Sequence, residues 1–144
     1  MLGVSDLGLK DACLDVRDEP DGILRVAVHG DLTDDRARAV IGVLRRAAHD
    51  GRDVLVLADV RHTGSIPASA RRISAEEMRT ARIDAVAIVG ASFPLRVVVT
   101  LLAKGVHILT GQLYPQQFFD TEGEARAWLL AQRDALRARR RPVA

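Results

Sequence analysis

The chain of 144 residues is poor in cysteine and in aromatic residues. Cys13 is its one cysteine, so no disulfide can form within the chain and nothing in its cysteine content points to secretion. Aromatic residues make up 3% of the chain, which leaves no stacking platform of the kind that binds nucleic acid. We therefore expect a protein of the reducing cytoplasm that does not bind nucleic acid.

Metal-binding and catalytic motifs are missing as well. The four histidines form neither a His-x-x-x-His nor a His-Glu-x-x-His spacing, and the glycines form no phosphate-binding loop. Of the three aspartates Asp31, Asp34 and Asp35, at least the last two are explained by the positive end of a helix dipole. Without a nucleophile and a base at a recognisable spacing, the sequence predicts no metal, no cofactor and no enzymatic activity.

No long, uninterrupted apolar segment is present. The N-terminal residues carry Asp6 and Lys10 and lack the apolar core of a signal peptide. The most apolar stretch, 93–113, is interrupted by Arg96 and Lys104 well short of the roughly 20 residues that a spanning helix needs. The sequence predicts no transmembrane segment.

The length and the hydrophobic fraction of 48% suit one domain with its own core. We divide the chain into an N-terminal extension (1–11), a single domain (12–132) and a basic helix end with a tail (133–144). The arginines of that last segment account for the formal net charge of +2. We expect it to be solvated, and a weak contact with an acidic partner or a membrane surface is the alternative.

Short β-favouring runs mark the strands. Residues 12–17 and 23–29 flank a turn at 18–22 and predict an opening β-hairpin. The aliphatic runs 54–60 and 85–89 are typical of central parallel strands covered on both faces, and a short edge strand is expected at 117–119.

Capping residues and apolar periodicity mark the helices. Thr33 predicts the start of an amphipathic helix that ends at Gly51. A second, weakly amphipathic helix starts near Pro67. A capping box at Ser74 and Glu77 leaves open whether that helix is two pieces with a break near Ile73.

Two further helices complete the pattern. The third begins at Ser92 and Pro94 and is expected to stop at Gly105. It is apolar almost all round, and whether the segment that follows folds back over it is open. The last helix begins with a capping box at Thr121, and its buried stripe is predicted to contain Ala125, Trp128, Leu129 and Leu136. The sequence thus predicts an α/β fold in which about four helices pack against a mixed sheet of four to five strands.

Four segments of the chain form a recognisable set: Asp31-Leu32-Thr33, the strand ending Ala58-Asp59-Val60, the strand Val86–Gly90, and the segment Phe118–Leu129. Together they resemble the STAS-like (SpoIIAA-like) family, which includes anti-sigma factor antagonists and is often compared with CRAL-TRIO lipid-transfer domains. The resemblance covers about residues 12–130 and implies a regulatory or protein-interaction module with an unidentified protein partner.

In the antagonists, a partner kinase phosphorylates a serine in the turn after the third strand. The resemblance implies a comparable site in this chain. Here Thr63 and Ser65 occupy that turn, and both are candidate phosphorylation sites. The alternative is that these residues only form a loop and cap a helix.

A binding surface is expected outside the carboxyl ends of the parallel strands, where open α/β sheets tend to bind ligands. Its candidate residues are polar groups at these ends and apolar residues of the third helix: Arg61, His62, Ser92, Phe93, Leu95, Val98 and Leu102. Apolar surface left exposed there marks a protein partner, a homodimer, or a lipid or other apolar ligand. The alternative to a protein-interaction module is a small-molecule or lipid-binding module that uses an apolar pocket beside the third helix. The alternative is that Phe93 and Leu95 are simply core residues.

Overall fold

The computed structural model describes residues 9–10 and 13–140. Within them the strands are β1 (Leu9–Lys10), β2 (Leu14–Asp18), β3 (Ile23–Val28), β4 (Leu55–Asp59), β5 (Ala85–Val89) and β6 (Gln116–Phe119). The helices are α1 (Asp34–His49), α2 (Ala68–Glu77), α3 (Phe93–Thr110) and α4 (Glu122–Arg140), and a short 3₁₀ helix (Met78–Thr80) follows α2.

The six strands form one mixed sheet in the order of the sequence. Strands β1, β2 and β3 are antiparallel, and β3 to β6 are parallel. The α/β class, the opening hairpin β2–β3 and the four helices confirm the predicted fold. The five predicted strands are β2 to β6, and β1 adds two residues at the edge, inside the segment predicted to be an extension. Residues 1–8, 11–12 and 141–144 of the two predicted terminal segments lie outside the described residues.

Two apolar layers enclose the sheet. On one face, side chains of β2 to β5 such as Val26, Val56 and Ile88 pack with α1, with the C-terminal part of α2 and with α3. On the other face, Leu57 and Ala87 pack against Ala125 and Leu129 of α4. All three crossover helices therefore lie on one face, as right-handed connections between strands in sequential order require.

Thr33 and Thr121 cap the helices that they are predicted to begin. The backbone N–H of Arg36 donates to the Thr33 hydroxyl (3.4 Å) at the start of α1. At the start of α4, the N–H of Glu124 donates to the Thr121 hydroxyl (3.3 Å), which in turn donates to the Glu124 carboxylate (3.0 Å). These bonds satisfy helix N–H groups that have no partner within the helix.

The break considered for the second helix near Ile73 is absent, because α2 is continuous from Ala68 to Glu77. Ser74 is buried inside it (5% exposed) and does not cap a helix. The position of Ser74 is set by packing of the inner face of α2 against the sheet. A capping motif in the sequence does not indicate such packing.

The predicted stop of the third helix at Gly105 is wrong. Helix α3 continues to Thr110, and Gly111 ends it with a left-handed φ of 77°. A glycine inside a helix costs about 1 kcal/mol relative to alanine. Here a Cβ on Gly105 would lie at an ordinary 3.9 Å from the Cβ of Ala75, so α3 passes close to α2 at this residue and alanine would also fit.

Candidate functional site

The loops that follow β3 and β4 are joined to each other at the carboxyl edge of the sheet. The N–H of Gly30 donates to the His62 carbonyl (2.9 Å), and the N–H of Gly64 donates to the Gly30 carbonyl (2.8 Å). A Cβ on Gly64 would lie 2.6 Å from an Asp31 carboxylate oxygen, so any larger residue would displace that carboxylate. The turn that carries the candidate hydroxyls is thus tied to the loop before α1.

The two candidate phosphorylation sites lie in different environments. Thr63 is half-buried, and its hydroxyl donates to the Val28 carbonyl (3.0 Å). Ser65 is exposed, and both its N–H and its hydroxyl donate to the same Asp31 carboxylate oxygen, each at 3.0 Å. Of the two, Ser65 is the hydroxyl that an enzyme could reach without opening the fold.

Arg61 belongs to a charged cluster on the α4 face of the sheet. Its guanidinium binds Asp59 through two nitrogens (2.9 and 2.7 Å), and Arg25 contacts the same carboxylate (2.8 Å). The hydrogen bond from Arg61 lowers the pKa of buried Asp59 to about 2. Arg61 therefore has a structural partner, and Glu122 lies 3.5 Å from it as well.

His62 points to a different neighbour. Its ring stacks on that of His29, with ring centroids 5.0 Å apart and an interplanar angle of 13°. Both histidines are exposed. Among the described residues, no three His, Cys, Asp or Glu side chains are grouped so that they could hold a metal ion.

The candidates on α3 separate into buried and exposed residues. Ser92 caps the helix by accepting from the N–H of Leu95 (3.4 Å). Leu95 is buried with Ile66 near the start of α2, and Val98 packs against that cluster. Phe93 is 78% exposed. The structure therefore places the predicted residues at the start of α3 in different surroundings, with Leu95 buried and Phe93 exposed.

An apolar cavity of about 160 Å³ lies between the sheet and helices α1 to α3. Val26 and Ile88 line it from the sheet, and Val99 and the predicted residue Leu102 line it from α3. Its polar lining residues are Thr63, Ser74, Tyr114 and Gln116. Burial raises the pKa of Tyr114 to about 12.

The outer face of α3 and the segment after it expose large apolar side chains. They are Phe93, Val97, Leu101, Ile108, Leu109 and Leu113, with exposed fractions between 41% and 81%. Among the described residues, α3 is the one helix long and apolar enough to cross a membrane, and 11% of it is buried. An exposed apolar face of this extent marks a binding surface.

A groove between α2 and α3 was not predicted from the sequence. It is lined by residues of both helices: Arg71, Arg72, Ala75, Leu101, Leu102, Gly105, Ile108 and Leu109. The groove exists because α3 continues past Gly105, the residue that was predicted to end the helix. The spacing of Leu101, Gly105 and Leu109, four residues apart, would have indicated one helical face.

Comparison with known proteins agrees with this architecture. The model of the SpoIIAA-like family matches residues 23–130. No curated protein matches the sequence.

Two solved structures share the fold. The first is an uncharacterized protein of the DUF3478 family with a SpoIIAA-like fold, from Shewanella loihica PV-4. It has a TM-score of 0.57 and 16% identity, and the match covers 85% of this chain and 99% of that one. The second is the anti-sigma factor antagonist SpoIIAA in its unphosphorylated form. It has a TM-score of 0.58 and 13% identity, and the match covers 82% of this chain and 98% of that one. The family match over most of the chain, together with the sheet order and the helix placement, shows that the chain belongs to the SpoIIAA-like family.

Proposed function

We propose that the protein is a non-enzymatic regulatory module that binds a protein partner through the exposed face of α3. The observation that carries this proposal is the row of apolar side chains on that helix, of which Phe93, Leu101 and Ile108 are more than half exposed. Water contact with so many neighbouring apolar groups is unfavourable, and association removes it. The family to which the chain belongs is one of regulatory modules, which is consistent with this role.

Photo-crosslinking in the native host tests the proposal. A photoreactive amino acid is placed at Val97 on the exposed face of α3, and a control is placed at exposed Ala131 on α4. We expect a covalent adduct with another protein from position 97 only. Absence of that adduct, or the same adduct from both positions, contradicts the proposal. An adduct of two copies of this chain would assign the face to a homodimer instead.

Regulation by phosphorylation is the finer part of the proposal, and we place it at Ser65. A phosphoserine carries about −1.5 to −2 charges at neutral pH, and the Ser65 hydroxyl lies 3.0 Å from an Asp31 carboxylate oxygen. Like charges at that distance repel, so modification would separate the turn after β4 from the loop before α1. Replacing Ser65 by Glu should change partner crosslinking at Val97, and replacing it by Ala should not. Equal crosslinking in both variants would contradict a role for Ser65.

Binding of a small apolar ligand is the second candidate function, and the cavity beneath α3 supports it. Apolar cavities of about 150 Å³ stay dry and accept a benzene-sized molecule, and this cavity has about 160 Å³. A whole lipid chain would enter only if α3 moved away from the sheet.

Native mass spectrometry of the protein from its own host tests this second function. We expect a mass excess that disappears on denaturation. Val99→Phe fills the cavity and should abolish the excess, whereas Val97→Phe, on the exposed side of the same helix, should leave it unchanged. A bare mass for the unmodified protein would contradict the ligand reading.

A further inference from the structure

The groove between α2 and α3 has an apolar floor of small residues and walls of large ones. Ala75 and Gly105 form its floor, and Leu101, Ile108 and Leu109 rise beside them. Its volume is about 280 Å³, below the roughly 300–1,000 Å³ of pockets that enclose drug-sized ligands. A groove of this size suits one or two anchoring side chains of a larger partner.

The charges around the groove are predominantly basic. Arg71 and Arg72 line it from α2, and Lys104, exposed on α3, is the sequence neighbour of Gly105. Arg72 has one carboxylate neighbour, Glu76, at 3.7 Å, and both side chains are more than half exposed. An exposed pair of this kind contributes little, so the Arg72 guanidinium is free to exchange that neighbour for a partner's carboxylate.

We propose that this groove docks an amphipathic helix of a partner protein, with large apolar side chains on one face and carboxylates beside them. The inference rests on the proposed protein-binding function and adds the chemistry of the partner. Helix-in-groove recognition places anchors at positions i, i+3 or i+4, and i+7. Leu101 and Leu109 are about 12 Å apart along the α3 axis at 1.5 Å per residue, which spans about two turns of the docked helix.

Charge disfavours a second copy of this chain in the groove. A two-fold dimer brings the same surface patch of both copies together. Arg71, Arg72 and Lys104 of one copy would then lie against the same residues of the other, with Glu76 as the carboxylate beside Arg72, and this excess of like charge is repulsive.

Shape disfavours a membrane surface. A bilayer can reach the exposed side chains of Leu101 and Ile108, but it cannot reach a floor that contains Ala75, which is 5% exposed. A substitution that fills the floor of the groove should therefore weaken binding of a docked helix and leave binding of a membrane surface unchanged.

Two fluorescent peptides of 18 residues provide the first test against the full-length protein. Both carry leucines at helical i, i+3 and i+7 spacing. One has glutamates on the flanking positions, and the other has lysines. We expect the glutamate peptide to bind about tenfold more tightly at low salt, as two exposed ion pairs would give, and the difference to shrink as salt screens the charges. Equal binding of both peptides, or binding of neither, overturns the proposal.

Variants of the groove provide the second test. Gly105→Met fills the floor and should weaken the glutamate peptide at least tenfold, whereas Gly105→Ala, whose Cβ lies at an ordinary 3.9 Å from Ala75, should bind as the parent does. Arg72→Glu should reverse the preference between the peptides. Arg46→Glu, an exposed arginine of α1 outside the groove, should not. If Gly105→Met fails to fold, as circular dichroism would show, the Arg72 reversal decides alone.

Phosphatidylserine vesicles identify the competing partner. Vesicle binding that is strong in the parent and persists in Gly105→Met, without peptide selectivity, assigns the surface to membranes and overturns the proposal. A Val97 photo-adduct in cells without binding of either peptide leaves the proposed function in place and rejects the acidic helix as the partner.

Discussion

The Arg61 guanidinium holds the Asp59 carboxylate at two points, with Nε 2.9 Å from one oxygen and Nη2 2.7 Å from the other. Asp59 is the last residue of β4 and is 6% exposed. Together with Arg25, this pair joins the centre of the sheet to the start of α4, since Arg25 also contacts Glu122. A buried carboxylate held in this way makes stability depend on pH.

We predict that the fold loses stability in acid through Asp59. The hydrogen bond from Arg61 lowers the pKa of Asp59 from 3.8 to about 2 in the folded state. A lowered pKa stabilises the fold at a pH above the unfolded value, and the contribution is lost as the pH falls from about 4 through 2. It amounts to roughly 2 kcal/mol. Urea unfolding at pH 7 and pH 2.5 should show a larger loss for the parent than for Asp59→Asn, and an equal loss in both would contradict the prediction.

Because of the same ion pair, we predict that alanine destabilises the fold more at Gly90 than at Gly51. Gly90 and Gly51 have left-handed φ values of 77° and 75°, and this conformation costs alanine about 1–2 kcal/mol at each. A Cβ at Gly90 would lie 2.1 Å from Cγ of Arg61, whereas Gly51 has nothing within 4 Å. Gly90→Ala must displace Arg61 from Asp59, so it should destabilise the protein by about 1 kcal/mol more than Gly51→Ala. Equal free energies of unfolding for the two variants would argue against this coupling.

The strands and the starts of α1 and α4 could be predicted because their signals are local. The aliphatic runs at β4 and β5 indicate burial on both faces of the sheet, and the Thr33 and Thr121 hydroxyls indicate helix starts. The end of α3 could not be predicted, because Gly105 and Gly111 are both possible helix stops in the sequence, and the left-handed φ of 77° that ends the helix occurs at Gly111.

The candidate site was predicted less completely, for a similar reason. Thr63 and Ser65 were correctly placed in the turn after the strand, but their partners Val28 and Asp31 come from another loop. The register of β3 with β4, which pairs Ala27 with Asp59, brings those loops together. The α2–α3 groove depends on the distance between the two packed helices, and no pattern within either helix predicts that distance.

We predict that the end of α4 is fixed by ion pairs, although the sequence suggested a solvated end. Arg137 Nε lies 3.0 Å from Asp53, and Arg140 contacts the same carboxylate, which is 9% exposed. Arg140→Ala should therefore lower the free energy of unfolding by about 0.5–1 kcal/mol, the range of a partly exposed charge pair. Arg139→Ala is the matched control, because Arg139 is exposed and should change stability by less than about 0.5 kcal/mol. Thermal unfolding measures both, and equal melting temperatures would show that the helix end is not fixed.

The last prediction concerns Tyr114, the one tyrosine of the chain. Its ring lines the apolar cavity, and burial raises its pKa from 10.0 to about 12 because the phenolate would lose its hydration. A raised pKa means that the folded state holds the proton more tightly, so this contribution to stability is present below pH 10 and is lost as the pH rises from 10 to 12. Phenolate absorbance measured within milliseconds of a pH jump, before the chain unfolds, should show a midpoint near 12 for the native protein and near 10 in urea. Tyr114→Phe should abolish the signal, and a native midpoint near 10 would mean that the wall of the cavity is open to water at this residue.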